Sequence, residues 1–196
     1  MPERRFRSLL LCCLTWVSLL ATARADVTIA RSFRVQDLSV VRHSGYDRID
    51  LRNGLPGDAA PGHPRLPMLT VFVAIPDGQT VTGLDARAED ALWRRDTRVY
   101  PVQPDYPPSE APPGFVDPDP AVYAAPGPYP AAWASLEGVY SMRGRRVAAV
   151  RLNPLRYNPP AGELHLATEL TVTIRTAAAP GKPGIQQAPV RPNRVF

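Results

Sequence analysis

The 196-residue chain has a formal net charge of +5, 44% hydrophobic residues and 24 prolines. Residues 1–25 hold four arginines and one glutamate, so the rest of the chain carries only about +2, which does not predict a nucleic-acid partner. Both cysteines, Cys12 and Cys13, lie in the same 25 residues, which excludes disulfides and cysteine nucleophiles from the remainder. Residues 26–196 are long enough for one domain that is stabilised by its own core.

The first 25 residues have the layout of a secretory signal. Three arginines precede a short apolar run, Leu9–Leu20, which is short for a membrane span. Ala23 and Ala25 fit the small-x-small cleavage rule and predict a mature start at Asp26. We therefore expect a periplasmic or extracellular protein with no membrane association after signal removal. An uncleaved membrane anchor is the alternative.

Short apolar runs between turn residues predict strands through the first half of the chain. The first three runs begin near Val27, Leu38 and Ile49. Met68–Ile75 is apolar on both parities, which predicts a central strand covered on both faces. Gln79–Ala88 predicts a further strand, whereas Ala91–Trp93 fits either a strand or a helical turn. The pattern as a whole predicts an all-β sandwich or barrel.

The segment Pro101–Pro130 holds 11 of the 24 prolines. Proline cannot donate to a sheet ladder, so this segment is not predicted to be strand. Interleaved aromatic residues make it too apolar for a plain linker. We expect an extended, polyproline-like segment that lies across the sheets or across a partner, with disorder as the alternative.

The C-terminal stretch contains two apolar runs, Val147–Leu152 and Glu163–Thr176, separated by Asn, Pro and Gly residues. This arrangement predicts that the two runs pair as antiparallel strands. The second run alternates with period two. Its predicted buried residues are Leu166, Leu170, Val172 and Ile174, and its predicted wetter residues are Glu169, Thr171 and Thr173.

The same stretch carries a family resemblance. Arg-Gly-x-Arg-Val-Ala begins at Arg143, and Asn-Pro-x-x-Tyr-Asn-Pro-x-x-Gly-Glu-Leu ends at Leu164. These two motifs resemble the propeptide domain of gingipain-type cysteine peptidases. Upstream of these motifs, shorter matches occur in the family's order at Gly62–Pro67, Pro101–Pro104 and Tyr129–Pro130. We expect the motif positions to have a structural role; these are Gly144, Asn153, Pro154, Tyr157, Asn158, Pro159 and Gly162.

The resemblance implies a jelly-roll-like β-sandwich at residues 26–176, with the proline-rich segment inside it. Residues 177–196 would then be a linker or tail. The implied function is a secreted, non-catalytic prodomain that assists the folding of a cysteine peptidase domain and inhibits it. The chain ends before any such domain, so the partner is expected either in cis in a longer chain or in trans.

The chain offers no signal for chemistry of its own. His43, His63 and His165 lack metal-ligand spacing, and no nucleotide-binding or serine-hydrolase motif occurs. We predict no catalytic residue, no metal and no cofactor. A carbohydrate or cell-surface binding module is the alternative function, with Trp93, Trp133 and loop tyrosines as stacking platforms.

Three arginines are the predicted contacts to the peptidase. Arg143, Arg145 and Arg146 precede the first apolar run. If the primary specificity pocket of the peptidase prefers arginine, one of them would occupy it through a bidentate carboxylate contact. The alternatives are solvated arginines at a strand end, or inhibition through the proline-rich segment. Arg191 and Arg194 are candidate cleavage sites for release of the domain.

Overall fold

The computed structural model describes residues 25–111 and 113–180. In chain order its strands are β1 (Val27–Ser32), β2 (Leu38–His43), β3 (Tyr46–Leu51), β4 (Leu55–Pro56), β5 (Pro67–Ala74), β6 (Gln79–Arg94), β7 (Ala134–Met142), β8 (Arg145–Leu152), β9 (Leu155–Asn158) and β10 (Glu163–Ala178). A single 3-10 turn covers Val35–Asp37, and the one α-helix within these ranges, α1, covers Pro120–Tyr123. The predicted all-β class is confirmed.

The strands form two four-stranded antiparallel sheets and a two-stranded ribbon. The first sheet has the order β1-β10-β6, and β9 also pairs with β10. The second sheet has the order β4-β5-β8-β7. The ribbon is β2-β3. One apolar cluster contains residues of β10 from the first sheet and of β5 and β8 from the second, so the two sheets share a core.

In β10, the apolar residues of the alternating sequence are the buried ones. Its four predicted core residues are between 0% and 2% exposed, while Glu169 is exposed and Thr171 and Thr173 are half-buried. A register irregularity between Ala167 and Glu169 does not change the parity of the buried set. The prediction for this strand is confirmed.

The predicted pairing of Val147–Leu152 with Glu163–Thr176 is wrong. β8 lies between β5 and β7 in the second sheet, whereas β10 is in the first. The connection between them contains β9, whose residues Leu155 and Tyr157 are buried and which takes the place beside the start of β10. The turn signals Asn153 and Pro154 thus mark a crossing from one sheet to the other.

The predicted coverage of Met68–Ile75 on both faces is also wrong. Val73 and Ile75 are buried towards the core, but Phe72 on the opposite parity is 59% exposed. The strand is central only in part, because its neighbour β4 is two residues long. The ambiguous Ala91–Trp93 belongs to β6, which continues to Arg94.

Candidate functional site

A tight hairpin between β7 and β8 places the three predicted arginines at one end of the second sheet. We call Met142–Arg146 the arginine hairpin. Met142 pairs with Arg145, so the loop has only two residues, Arg143 and Gly144. Their φ angles are 49° and 77°. A two-residue hairpin turn of this kind requires positive φ at both positions, which explains the glycine and makes Arg143 the unusual residue.

The three arginines differ in how far they are held. The guanidinium of Arg146 donates from Nη1 to the carbonyl of Gln79 (3.1 Å). The backbone carbonyl of Arg146 accepts from the N–H of Ile75 (2.9 Å). Arg145 lines a small cleft with Pro76 and Asp77. All three side chains are exposed, and within residues 25–111 and 113–180 none forms an ion pair.

An exposed guanidinium at a tight turn is suited to carboxylate recognition. Its planar fork matches a carboxylate with two parallel hydrogen bonds. The turn places Arg143 at the extreme tip, with Arg145 beside it on the flank. The structure therefore brings the predicted arginines together in one hairpin, and Arg143 is the one that lies in the turn itself.

The motif residues of the C-terminal stretch surround β9. Tyr157 is 2% exposed, and its hydroxyl donates to the carbonyl of Thr97 (2.9 Å). Gly162 has a φ of 64°, and its carbonyl accepts from the N–H of Thr97 (3.0 Å). A Cβ at Gly162 would lie 3.4 Å from that nitrogen, so the loop after β6 packs closely on this glycine.

Other motif residues hold the crossing between the sheets. Asn153 donates from its amide nitrogen to the carbonyl of Ala132 (2.9 Å) and from its backbone N–H to Trp133 (2.8 Å). The carbonyl of Pro154 accepts from Ala167 (2.9 Å). Asn158 pairs with Glu163, and the carbonyl of Pro159 accepts from Gly162 (3.1 Å). These motif residues form hydrogen bonds and strand pairs within the domain.

The described part of the proline-rich segment is attached to the sandwich at several points. At its start the N–H of Val102 donates to His63 (2.8 Å), and Gly62 donates back to Val102 (2.8 Å). The side chain of Gln103 accepts from the N–H of Val116 (2.8 Å) and donates to its carbonyl (2.9 Å). Gln103 thus joins the two ends of the loop between positions 104 and 115. The sequence showed no sign of this contact, because a glutamine carries no signal for its distant partner.

The end of the same segment contains the helix α1. Asp119 caps it by accepting from the N–H of Ala121 (2.8 Å), and Pro120 occupies the first turn, where its missing N–H is tolerated. The Tyr123 hydroxyl then donates to the carbonyl of Val99 (2.7 Å). Burial, together with the nearby Tyr157, raises the pKa of Tyr123 well above its usual range. The described part of the segment therefore forms a loop closed by Gln103 and a short helix, and both ends of the segment are bonded to the rest of the domain.

Among the described aromatic residues proposed as stacking platforms, Tyr106 is 49% exposed, whereas Trp93, Trp133, Tyr123 and Tyr129 are half-buried. Trp133 is half-buried, and the Arg156 guanidinium lies over its ring at 4.9 Å from the centroid. Trp93 is half-buried at the edge of the core. Tyr46, Tyr123 and Tyr157 line a cleft of about 490 Å³. The hydroxyls of Tyr123 and Tyr157 donate to backbone carbonyls of the protein. No observation here favours the carbohydrate-binding alternative.

Two searches of the described residues bear on other kinds of site. No group of three or more His, Cys, Asp or Glu side chains in residues 25–111 and 113–180 is arranged to hold a metal ion. Over the same part of the chain, the helix present is neither long nor apolar enough to cross a membrane.

Comparison with known proteins decides the family. The Propeptide_C25 family model matches residues 32–188. The chain belongs to this family. The resemblance to gingipain-type propeptides, which rested on the motifs around β8 and β9, is thereby confirmed. A comparison with curated proteins finds no match.

Solved structures from Porphyromonas gingivalis share the fold of this C25 propeptide. One is described as a complex of the RgpB pro- and mature domains, with 18% identity, a TM-score of 0.63, and coverage of 82% of this chain and 83% of that chain. The other is a structure described as giving insight into the zymogenic latency of gingipain K. It has 21% identity to this chain and a TM-score of 0.54, and the match covers 78% of this chain and 98% of that chain. At these identities the likeness shows the fold alone.

Proposed function

We propose that this C25 propeptide is an exported, non-catalytic prodomain that inhibits a cysteine peptidase domain and assists its folding, in cis or in trans. The observation that carries the inhibitory part is the arginine hairpin, which presents exposed arginine side chains at a two-residue turn. Family membership supports a cysteine peptidase domain as the partner.

The turn explains how an arginine can occupy a peptidase pocket without being cut quickly. A substrate in a cleft binds in an extended form, with side chains on alternate sides. Arg143 and Gly144 both have positive φ, so the peptide bond between them is held away from that form. Opening the turn would break the pairing of Met142 with Arg145, which makes cleavage slow.

The test is inhibition of a cognate or related peptidase by the chain without residues 1–25. Arg143, Arg145 and Arg146 are changed singly to alanine, and the matched control is Arg87→Ala, an exposed arginine on β6 in the other sheet. Direct pocket occupancy predicts that one hairpin variant weakens inhibition at least about tenfold, or roughly 1.4 kcal/mol. Unchanged inhibition in all three would transfer the role to the proline-rich segment. No inhibition by the unaltered chain would refute the inhibitory function.

Folding assistance is tested separately, because a domain can template its partner without blocking it. The peptidase domain is refolded with and without the propeptide, and the recovered activity is measured after the propeptide has been removed. A higher yield with the Arg143→Ala variant as well as with the unaltered chain would separate folding assistance from pocket occupancy.

Export is proposed from the signal-like first 25 residues and from family membership. Ala23 lies outside the described residues, but Ala25 and Asp26 are in contact with the end of β10. Thr176 donates from its hydroxyl to the carbonyl of Ala25 (2.9 Å) and from its N–H to the carboxylate of Asp26 (3.1 Å). Cleavage after Ala25 keeps the Asp26 contact. N-terminal sequencing of exported protein should therefore begin at Asp26, and an intact Met1 on membrane-bound protein would contradict this.

The domain boundaries remain proposals of the same kind. Residues 26–176 are proposed as the folded unit and 177–196 as the tail, although β10 itself continues to Ala178. The candidate release sites Arg191 and Arg194 lie outside the described residues.

A further inference from the structure

Large apolar side chains are exposed to solvent on the side of the second sheet that faces away from the core. The exposed fractions are 59% for Phe72, 52% for Tyr140 and 50% for Met142. Met68 and Ala149 lie on the same side, and together with Phe72 and Tyr140 they line a groove of about 410 Å³. We call the five residues Met68, Phe72, Tyr140, Met142 and Ala149 the outer face.

Strand register explains why these side chains share one side. Phe72 lies opposite Ala149, and Ala149 lies opposite Gly138. The alternate residues of the same strands, among them Val73 and Val150, are buried in the core. Ala149 is only 4% exposed although it points outward, because the neighbouring aromatic side chains cover it.

A glycine on β7 shapes this surface. A Cβ at Gly138 would lie 2.9 Å from the Tyr140 hydroxyl oxygen and 3.0 Å from its ring. The Tyr140 ring therefore lies back over the glycine instead of standing away from the sheet. This position exposes a flat aromatic surface at the edge of the groove, next to Phe72.

The end of the groove furthest from the arginine hairpin is acidic. Arg151 donates from Nη2 to Asp58 (2.7 Å) and to Glu137 (2.9 Å). Two carboxylates surround one guanidinium, so this end has a net negative charge while the hairpin end is positive. The carboxylates outweigh the effect of burial and raise the pKa of Arg151, which stays charged.

The outer face is continuous with the arginine hairpin. The last described residues, Ala179 and Pro180, lie near the same end of the second sheet. Met142 on this face pairs with Arg145 of the hairpin. Near Pro180, Ala179 donates to the carbonyl of Gly78 (2.7 Å), and the next residue, Gln79, accepts from Arg146. Pro180, the last described residue, therefore lies close to the hairpin.

The hairpin alone is too small to hold a folded partner. A stable complex buries about 800 Å² on each side and uses about 20–30 residues from each protein. Five residues of hairpin fall far short of this, so an inhibitor that acts through the hairpin needs more contact area next to it. Aromatic residues and methionine, which make up most of the outer face, are the types enriched in such contact areas.

We propose that the outer face is the main docking surface for the peptidase domain and positions the hairpin for its pocket. This inference rests on the proposed inhibitory function. The partner surface is apolar opposite Phe72 and Tyr140, and carries a basic group opposite Asp58 and Glu137. Phe72 is the central anchor, since it is the most exposed aromatic side chain on the face.

The test compares Phe72→Ser and Tyr140→Ser with Val41→Ser, in the chain without residues 1–25. Val41 is a matched control because it is 56% exposed on strand β2 of the separate ribbon. Circular dichroism and thermal unfolding show that each variant is folded. Binding to the peptidase, with its active site blocked by a small covalent inhibitor, is measured by calorimetry, so that docking is read without pocket occupancy.

The expected result is at least about tenfold weaker binding for Phe72→Ser and Tyr140→Ser, and no change for Val41→Ser. Equal affinity of all variants, with inhibition by the unaltered chain intact, would overturn the docking surface and leave the proposed function standing. No binding or inhibition by the unaltered chain would overturn both. A dimer that Phe72→Ser converts to a monomer, with peptidase binding unchanged, would assign the face to a second copy and also overturn the proposal.

Discussion

Leu170→Ala tests the core on which both sheets depend. Leu170 is 1% exposed and lies between Arg31 of β1 and Ala88 of β6, in the middle of the central strand. The change removes three carbon atoms, worth about 0.8 kcal/mol each when fully buried. A residual cavity adds to this, because strands bonded on both sides relax little. The expected loss is about 3–4 kcal/mol, within the range of about 2–5 kcal/mol observed for such changes.

Urea unfolding followed by circular dichroism measures this loss. With a denaturant slope of about 2–3 kcal/mol/M, the midpoint should move by roughly 1–2 M. The control is Thr171→Ala on the half-buried neighbour, which should cost less than about 1 kcal/mol. Equal and small effects of the two changes would refute the assignment of β10 as the central strand with its even-numbered residues in the core.

Three further predictions concern the segments that surround the sandwich. The free energy of unfolding should fall as the pH rises above the ordinary tyrosine value of 10.0, because the folded state raises the pKa of Tyr123 and holds it neutral; Tyr123→Phe should make this alkaline loss shallower in urea titrations at successive pH values. Gln103→Ala should speed proteolysis between positions 104 and 115 while the thermal midpoint changes little, and equal digestion rates would contradict the clasp to Val116. Gly162→Ala should destabilise the domain by about 1–2 kcal/mol in denaturant unfolding, because it combines a positive φ with the close contact to Thr97, and a neutral result would contradict that reasoning.

Local patterns were sufficient to predict most of the strands, but not β4, β7 or β9, and they did not predict which strands pair. The alternation in Glu163–Thr176 identified the buried side of β10, because one side of that strand meets the core along its length. The turn signals at Asn153 and Pro154 indicated a break in the chain, but a break does not reveal whether the chain returns to the same sheet or crosses to the other. The short strand β9 was hidden among those turn residues.

The same limit applies to the candidate site. The sequence placed three arginines near a strand end, and the hairpin geometry distinguishes them: Arg146 is held by Gln79, whereas Arg143 is at the tip. The exposure of Phe72 was missed, because an apolar residue on a strand predicts burial whichever surface it faces. Only the sheet order shows that the outer face points away from the core.

The position of β10 in the sheet determines when the domain can fold. This strand pairs with β1, β6 and β9, yet it is among the last parts of the domain to be synthesised. Until residue 178 has been synthesised, the first sheet lacks its middle strand, and the core shared by the two sheets is incomplete. The domain therefore cannot complete its fold until the last of its described strands has been made.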